Sequence, residues 1–358
     1  MKQIAPNQQK LKGYTFIDLF AGIGGFHYAL KSYGAKAVFA SEIDKKAATV
    51  YETNHGLKPH GDITKIEAKT IPKHDILCGG FPCQAFSISG KQKGFEDTRG
   101  TLFFDIARII NHHQPKILLL ENVKNFVRHN QGETLKTVLS TLENLNYNVF
   151  YKVLNTRYFG LPQNRERVYI VGFHKDFYNG NFEFPNQKIV SCLNDILEEN
   201  PTNGKIIERE DMWIYKQFEP QKNIFGEIEL PNRPIQIGKV NKGGQGERIY
   251  HPLGHAITLS AHGGGAGSKT GLYQINSKIR KLSPRECARL QGFPEDFILP
   301  KSVTEAHRQF GNSVSVNVLQ FIIEEIIKTI ENGQTSTLRL TDSKKRFQER
   351  EGHRQEVQ

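Results

Sequence analysis

Cysteine is scarce in this chain: four in 358 residues, at Cys78, Cys83, Cys192 and Cys287. None is paired at the short spacing of a zinc cluster, and so few in a chain this long make no disulfide framework, so the chain reads as reduced and metal-free. Long apolar runs are missing as well. No stretch approaches the roughly 20 residues a membrane span needs, and the polar N-terminus has no apolar signal core. Together these absences predict a cytoplasmic protein with no membrane partner. Internal repeats are absent too. Acids are under-represented, with 37 Asp and Glu against 48 Lys and Arg for a net charge of +11. Such an excess favours a polyanionic partner.

The position of that charge matters more than its total. Between Asn232 and Arg285 stand nine Lys or Arg and a single acid, Glu247. The same stretch holds ten glycines, which let backbone approach a ligand closely and turn a solvated basic face into a candidate phosphate-contacting surface. By contrast, the six bases and five acids from Glu331 to Gln358 nearly cancel.

The first half of the chain alternates strands and helices. Strands are expected at Tyr14–Phe20, Ala37–Ser41, His74–Cys78, Lys116–Leu120, Asn148–Leu154 and Arg167–Phe173. Helices are expected after the first glycine turn through Tyr33, from Asp44 (an N-cap) to Asn54, from Leu102 to His112, and from Thr134 to Leu145. This alternation predicts a doubly wound, mostly parallel sheet. After about Asp195 the pattern fails, leaving short strand-like pieces such as His255–Leu259, and helical periodicity returns only at Val316–Ile330. The expected organisation is a catalytic and cofactor-binding domain at 1–195, an irregular β-rich recognition domain at 196–283, a return segment and helix at 284–330, and a disordered tail at 331–358.

The segment Asp18-Leu19-Phe20-Ala21-Gly22-Ile23-Gly24-Gly25 lies between a strand and a helix. Its glycines permit a tight turn whose backbone N–H groups face a ligand. Alone such a loop is weak evidence, since some are ordinary tight turns. Glu42 ends the second strand, where an acid binds ribose hydroxyls, and Asp62 is placed to accept from an adenine amine. Singly each reads as a cap or surface charge; together they point to an adenosine cofactor. A nicotinamide dinucleotide sits over G-x-G-x-x-G, a spacing this loop lacks. S-adenosylmethionine carries no phosphates and does not require it.

Gly79-Gly80-Phe81-Pro82-Cys83-Gln84 follows the third strand directly. A lone cysteine is usually an inert core residue, and Cys78 inside the strand is read that way. Cys83 is flanked by glycine, proline and polar residues at the carboxyl edge of the sheet, which suits a reactive thiolate. The next strand ends in Glu121-Asn122, so Glu121 is expected at the same edge, as an acid beside a nucleophile. Arg165 and Arg167, two apart before a strand, are expected to point the same way and grip an anionic or carbonyl group.

Six segments in order, Phe20 to Gly25, Pro82-Cys83-Gln84, Glu121-Asn122-Val123, Gln163 to Arg167, Arg285 to Pro294 and Gly311-Asn312-Ser313-Val314, resemble the ordered motifs of the bacterial cytosine-5 DNA methyltransferase family. The likeness covers most of Tyr14 to Ile330. It implies a class I S-adenosylmethionine-dependent methyltransferase fold and a restriction-modification enzyme. Such an enzyme flips a cytosine out of double-stranded DNA, attacks C6 with Cys83 and methylates C5. It further implies catalytic roles for Glu121, Arg165 and Arg167, and a cofactor site of Phe20, Gly22, Gly24, Glu42, Ile43, Asp62, Ile63, Pro82, Leu102, Asn312 and Val314. Ile43 departs from the likeness, which has an adenine-stacking tryptophan there.

For DNA reading the resemblance implies Ser89, Gln245, Arg248, His262 and Gly265, with Gln245 pairing the orphaned guanine and Arg248 bonding a guanine edge. His262 stands where the likeness has tyrosine, so GCGC is only one expected form of a short CG-containing site. A monomer, paired with a cognate endonuclease, is the expected assembly. Three rival readings are an RNA or tRNA methyltransferase on the same scaffold, a non-catalytic DNA-binding relative, and a nicotinamide oxidoreductase. The basic region, the complete catalytic set and the glycine spacing, respectively, argue against them.

Overall fold

The computed structural model describes residues 5–82, 102–201, 203–222, 224–226, 228–244, 246–262 and 264–333. Cys83, Ser89 and Gln245, named above as nucleophile and DNA-reading residues, lie outside the described residues, as does 334–358 of the expected tail.

The amino-terminal half builds β1 (Thr15–Leu19), α1 (Gly25–Lys31), β2 (Lys36–Ser41), α2 (Lys45–His55), β3 (Ile76–Gly80), α3 (Leu102–His113), β4 (Ile117–Val123), α4 (Glu133–Asn144), β5 (Tyr147–Asn155) and β6 (Glu166–His174). Each expected strand and helix is present within a few residues. Asp44 caps α2 as its chemistry dictates, its carboxylate accepting from the N–H groups of Lys46 and Ala47. In α3 the apolar side chains Phe103, Ile106, Ala107 and Ile110 recur at helical spacing and are all buried.

These strands form one sheet in the order β2-β1-β3-β4-β6-β5. The first three pairings are parallel, but β6 enters antiparallel between β4 and β5. The physical reason lies in the connections. Strands joined by an α-helix return parallel, whereas β5 reaches β6 through the ten-residue connection 156–165, which holds only one 3-10 turn and no crossover helix and so brings β6 back antiparallel. Successive residues alternate between the faces. Phe16, Cys78, Leu119 and Val171 pack on one side with α1 and the C-terminal helices; Ile17, Leu77, Leu118 and Ile170 pack on the other with α3 and α4.

A second sheet, β7 (Met212–Ile214), β8 (Ile235–Val240), β9 (Arg248–His251), β10 (Leu272–Ile275) and β11 (Lys278–Arg280), has the order β11-β10-β9-β8-β7 and a small core of its own. The expected strand at His255–Leu259 is not a strand; only Ala256 pairs, through an isolated bridge to Gln163. Its carbonyls and amides are used by neighbouring segments instead of a ladder. The chain then returns through α5 (Pro284–Leu290), capped by Ser283 and Glu286, and α6 (Val303–Asn312) to α7, which spans 316–333 and buries its apolar stripe on the large sheet. Residues 331–333, placed above in the tail, thus continue that helix.

Candidate active site

Strand order reverses at β1, whose neighbours are β2 and β3. In open sheets of this kind ligands bind at the carboxyl ends of the strands beside such a switch point. There a cavity of about 680 Å³ opens.

One wall is the glycine turn after β1. Phe20, Gly22 and Gly24 all have positive φ (55°, 55° and 89°), the conformation that glycine adopts without strain. Glu42, at the end of β2, holds this turn: its two carboxylate oxygens accept from Gly22 N–H and Asp44 N–H, each at 2.8 Å. Burial raises the Glu42 carboxyl above its ordinary range, and those backbone donors pull it partly back. Asp62 accepts from the amide and hydroxyl of Thr64 at 3.1 and 2.8 Å, and the Thr64 contacts hold its carboxyl below the usual value. Phe20, Gly22, Glu42, Ile43, Asp62, Ile63, Pro82, Leu102 and Asn312 all line the cavity. Ile43 is 71% exposed, a bare aliphatic side chain at the rim.

Gly24 and Val314 stand apart from the cavity wall. Gly24 is the N-cap of α1, where a Cβ would collide with the His55 ring, and Val314 packs into the space a side chain on Gly25 would fill. Both shape the turn from behind.

At the other end of the cavity, β3 and β4 run in register so that Gly80 pairs with Glu121. A Cβ on Gly80 would lie 3.4 Å from Glu121 Oε2, so the carboxyl sits directly over the strand end that leads to Cys83. Asn122 donates from Nδ2 to the Phe81 carbonyl at 3.0 Å, fixing that exit. Glu121 is 8% exposed; burial raises its carboxyl, outweighing the opposing pull of Arg167 and Arg165. Arg167 Nε lies 3.0 Å from Glu121 Oε1, an ion pair rather than an aligned hydrogen bond.

Arg165 lines the cavity with Arg167 and is anchored largely by backbone. It reaches the cavity wall but is 2% exposed, and both its terminal nitrogens are taken by backbone carbonyls: Nη1 by Leu259 at 3.1 Å, Nη2 by Gly311 and Ser313 at 3.2 and 2.8 Å. Only Nε stays without a partner. Desolvation and the neighbouring Arg167 lower its guanidinium to about 9, and it remains cationic at neutral pH. Three of its five N–H groups are thus held by backbone carbonyls, leaving Nε and the second Nη1 hydrogen at a residue that still lines the cavity.

The two glycine loops of the small sheet meet. Gly267 N–H donates to Gly246 O at 2.7 Å, and side chains on Gly246 or Gly265 would collide with the opposing backbone. Glu247 stiffens the first loop, accepting from Asn241 Nδ2 and Gly244 N–H, both at 2.9 Å. Arg248 and His262 are exposed, and Arg248 Nε donates to Gly243 O at 3.3 Å.

Comparison with known proteins gives this geometry its context. The family model described as C-5 cytosine-specific DNA methylase matches residues 14–328. The chain belongs to that family. It is a DNA (cytosine-5-)-methyltransferase. It is 51% identical over 321 residues to the type II methyltransferase M.HhaI of Haemophilus parahaemolyticus, covering 89% of this chain and 95% of the relative. Type II methyltransferase M.HpaII of Haemophilus parainfluenzae is 46% identical, covering 89% and 90% of the two chains. Among solved structures, Dnmt2 methyltransferase of S. pombe shares the fold with a TM-score of 0.63 at 24% identity, covering 88% of this chain and 98% of that one.

Several residues of this cytosine-5 methylase site were not singled out from the sequence. Arg308 and Gln309 project from α6 into the cavity. Arg308 bonds Asp44 and Glu305, tying α6 to the start of α2. Gln309 is buried, and neither atom of its amide has a partner. Both lie one turn before Asn312 on the same helix, and that i, i+3 or i, i+4 spacing was the available signal. No helix among the described residues is long and apolar enough to cross a membrane.

Proposed function

We propose that this methylase binds S-adenosylmethionine in the cavity beside the glycine turn and transfers its methyl group to C5 of a cytosine flipped out of duplex DNA. The observation that carries the reading is Glu121: a buried carboxyl with a raised pKa, paired to Arg167 and lying over the strand end that leads to Cys83. The residues present suit the cofactor. Gly22 lines the turn with no side chain, Glu42 would offer its remaining carboxylate lone pairs to ribose hydroxyls, Asp62 would accept from an adenine amine, and Gln309 lines the same wall with its buried amide unpartnered. When bound, S-adenosylmethionine supplies an electrophilic methyl on its sulfonium.

The chain's own residues then divide the work. The Cys83 thiolate adds to cytosine C6, which breaks the aromatic ring and makes C5 an enamine-like nucleophile. Glu121, whose carboxyl burial raises above its ordinary range, hydrogen-bonds N3 and the exocyclic amine as charge develops there. Arg167 holds the O2 carbonyl, with Arg165 buried behind it. As C5 takes the methyl, the methyl–sulfonium bond breaks and S-adenosylhomocysteine is left. A water or hydroxide base then takes the C5 proton, the C6–sulfur bond breaks to return the Cys83 thiolate, and aromaticity is restored.

Recognition falls to residues 196–283. Gln245 pairs with the orphaned guanine, Arg248 bonds a guanine edge in the major groove, and Ser89, His262 and Gly265 complete the contact. A short CG-containing site such as GCGC is the proposed target. A monomeric, cytoplasmic enzyme, held at the nucleoid by its DNA and paired with a cognate restriction endonuclease, fits this reading. The basic stretch from Asn232 to Arg285 suits a nucleic-acid backbone, and membership of the DNA methylase family favours duplex DNA over tRNA.

The test is a duplex carrying 5-fluorocytosine at the target, incubated with protein and methyl donor. The expected result is a covalent complex through residue 83 that Cys83→Ser abolishes. No complex on any CG-containing duplex would overturn the mechanism, and bisulfite sequencing of methylated DNA identifies the site.

A further inference from the structure

Between the small sheet and the catalytic sheet runs the irregular segment 255–262, and its attachments are unusually complete. Ala256 donates to Pro162 O at 2.7 Å and accepts from Asn164 N–H at 3.1 Å. Leu259 N–H donates to the buried Gln163 side chain at 3.0 Å, and Leu259 O accepts from Arg165 Nη1 at 3.1 Å. Three residues beyond Leu259 lies His262, at the start of the glycine loop that backs onto Gly246.

The other terminal nitrogen of Arg165 holds Gly311 O and Ser313 O, the carbonyls on either side of Asn312. Asn312 lines the cofactor cavity. The two segments touch directly as well: a Cβ on Gly311 would come within 2.5 Å of the Ser260 carbonyl carbon. One buried guanidinium therefore grips the root of the DNA-facing loop with one nitrogen and the cofactor-facing turn with the other. It stands two residues before Arg167, the partner of Glu121.

We propose that Arg165 is a positioning residue that couples occupancy of the cofactor cavity to ordering of the DNA-recognition loop. This rests on the function proposed above and goes beyond it. A ligand on Asn312 orders the 311–313 turn; the two flanking carbonyls then orient the guanidinium; and its rigid, planar fork orients Leu259. Either ligand prepays part of the ordering that the other requires, so each tightens the other. Linkage makes the factor equal in both directions. A lysine at 165 keeps a positive charge but lacks the fork that spans both segments.

The experiment measures the dissociation constants of S-adenosylhomocysteine with and without a cognate duplex, and of the duplex with and without S-adenosylhomocysteine, for wild type and Arg165→Lys. Wild type is expected to show a mutual tightening of roughly 5- to 150-fold, the usual range of such coupling. In Arg165→Lys each ligand alone binds within about 3-fold of wild type, the mutual factor falls toward 1 in both directions, and KM for DNA at saturating donor rises more than kcat falls. Loss of kcat with the mutual factor intact would make Arg165 a substrate contact and overturn the proposal. Amide hydrogen exchange on the wild-type chain decides the matter should the variant not fold. S-adenosylhomocysteine alone is expected to slow exchange in 259–265, and duplex alone in 309–313; protection confined to each ligand's own segment would overturn it. No binding of S-adenosylhomocysteine to wild type would remove the cofactor reading itself, and the coupling with it. Binding of both ligands without mutual tightening removes the coupling alone.

Discussion

Arg167 holds its Nε 3.0 Å from Oε1 of Glu121 on adjacent antiparallel strands, with both side chains almost wholly shielded from water. The pairing keeps a cation beside the carboxyl, yet burial still dominates and leaves Glu121 readier to hold a proton than a free glutamate. That balance suits a group that must stay beside a base ring and share a proton with it.

Glu121→Gln tests this role. The amide preserves shape but cannot donate a carboxyl proton, so kcat is expected to fall by roughly 10²- to 10⁴-fold, the usual worth of a positioned acid or base. The dissociation constant for S-adenosylhomocysteine should stay near the wild-type value. Equal losses in kcat and in cofactor affinity would show that Glu121 supports the cavity rather than the chemistry.

Asp18 gives a prediction about stability and pH. It is fully buried on β1, neither carboxylate oxygen has an aligned partner, and burial pushes its pKa well above 3.8. A carboxyl with a raised folded value binds its proton more tightly when folded. Its stabilising effect is thus complete below the unfolded value and is lost as pH rises through the folded one. Asp18→Asn removes this loss. Its melting temperature relative to wild type should therefore climb with pH, from little difference near pH 4 to a gain of a few degrees at pH 8. A constant offset across that range would refute the assignment of a raised value.

Ile43 leaves the cavity rim without an aromatic face. Introducing Ile43→Trp should strengthen S-adenosylhomocysteine binding by about 2- to 10-fold, the equivalent of the roughly 0.5–1.5 kcal/mol that ring stacking contributes. Calorimetric titration reads this directly, and unchanged or weakened affinity would argue that adenine sits elsewhere.

Gln309 makes an opposed pair of predictions. Its amide is buried in the cavity wall with no partner. Leaving such a group unpaired costs on the order of 1–3 kcal/mol, and an apolar replacement of similar shape avoids that cost. Gln309→Leu should raise the melting temperature of the ligand-free enzyme while weakening S-adenosylhomocysteine about 10-fold, the equivalent of one lost polar contact. A variant that lost stability and kept full affinity would place the Gln309 amide in the scaffold rather than the ligand site.

Local sequence determined much of this protein. Strand and helix positions in the first half follow from residue periodicity and from caps such as Asp44, because those signals act over a few residues. The places of Glu42 and Glu121 on the cavity were legible because each ends a strand whose type was already clear, whereas Asp62, after a stretch without strand periodicity, was singled out only in the company of Glu42. Tertiary structure alone decided the rest. The insertion of β6 between β4 and β5, the partners of Arg165 and the burial of the Gln309 amide depend on what arrives from distant parts of the chain. The carbonyls that occupy Arg165 belong to residues 259, 311 and 313, about 95 to 150 positions away, and no local pattern encodes a partner at that distance.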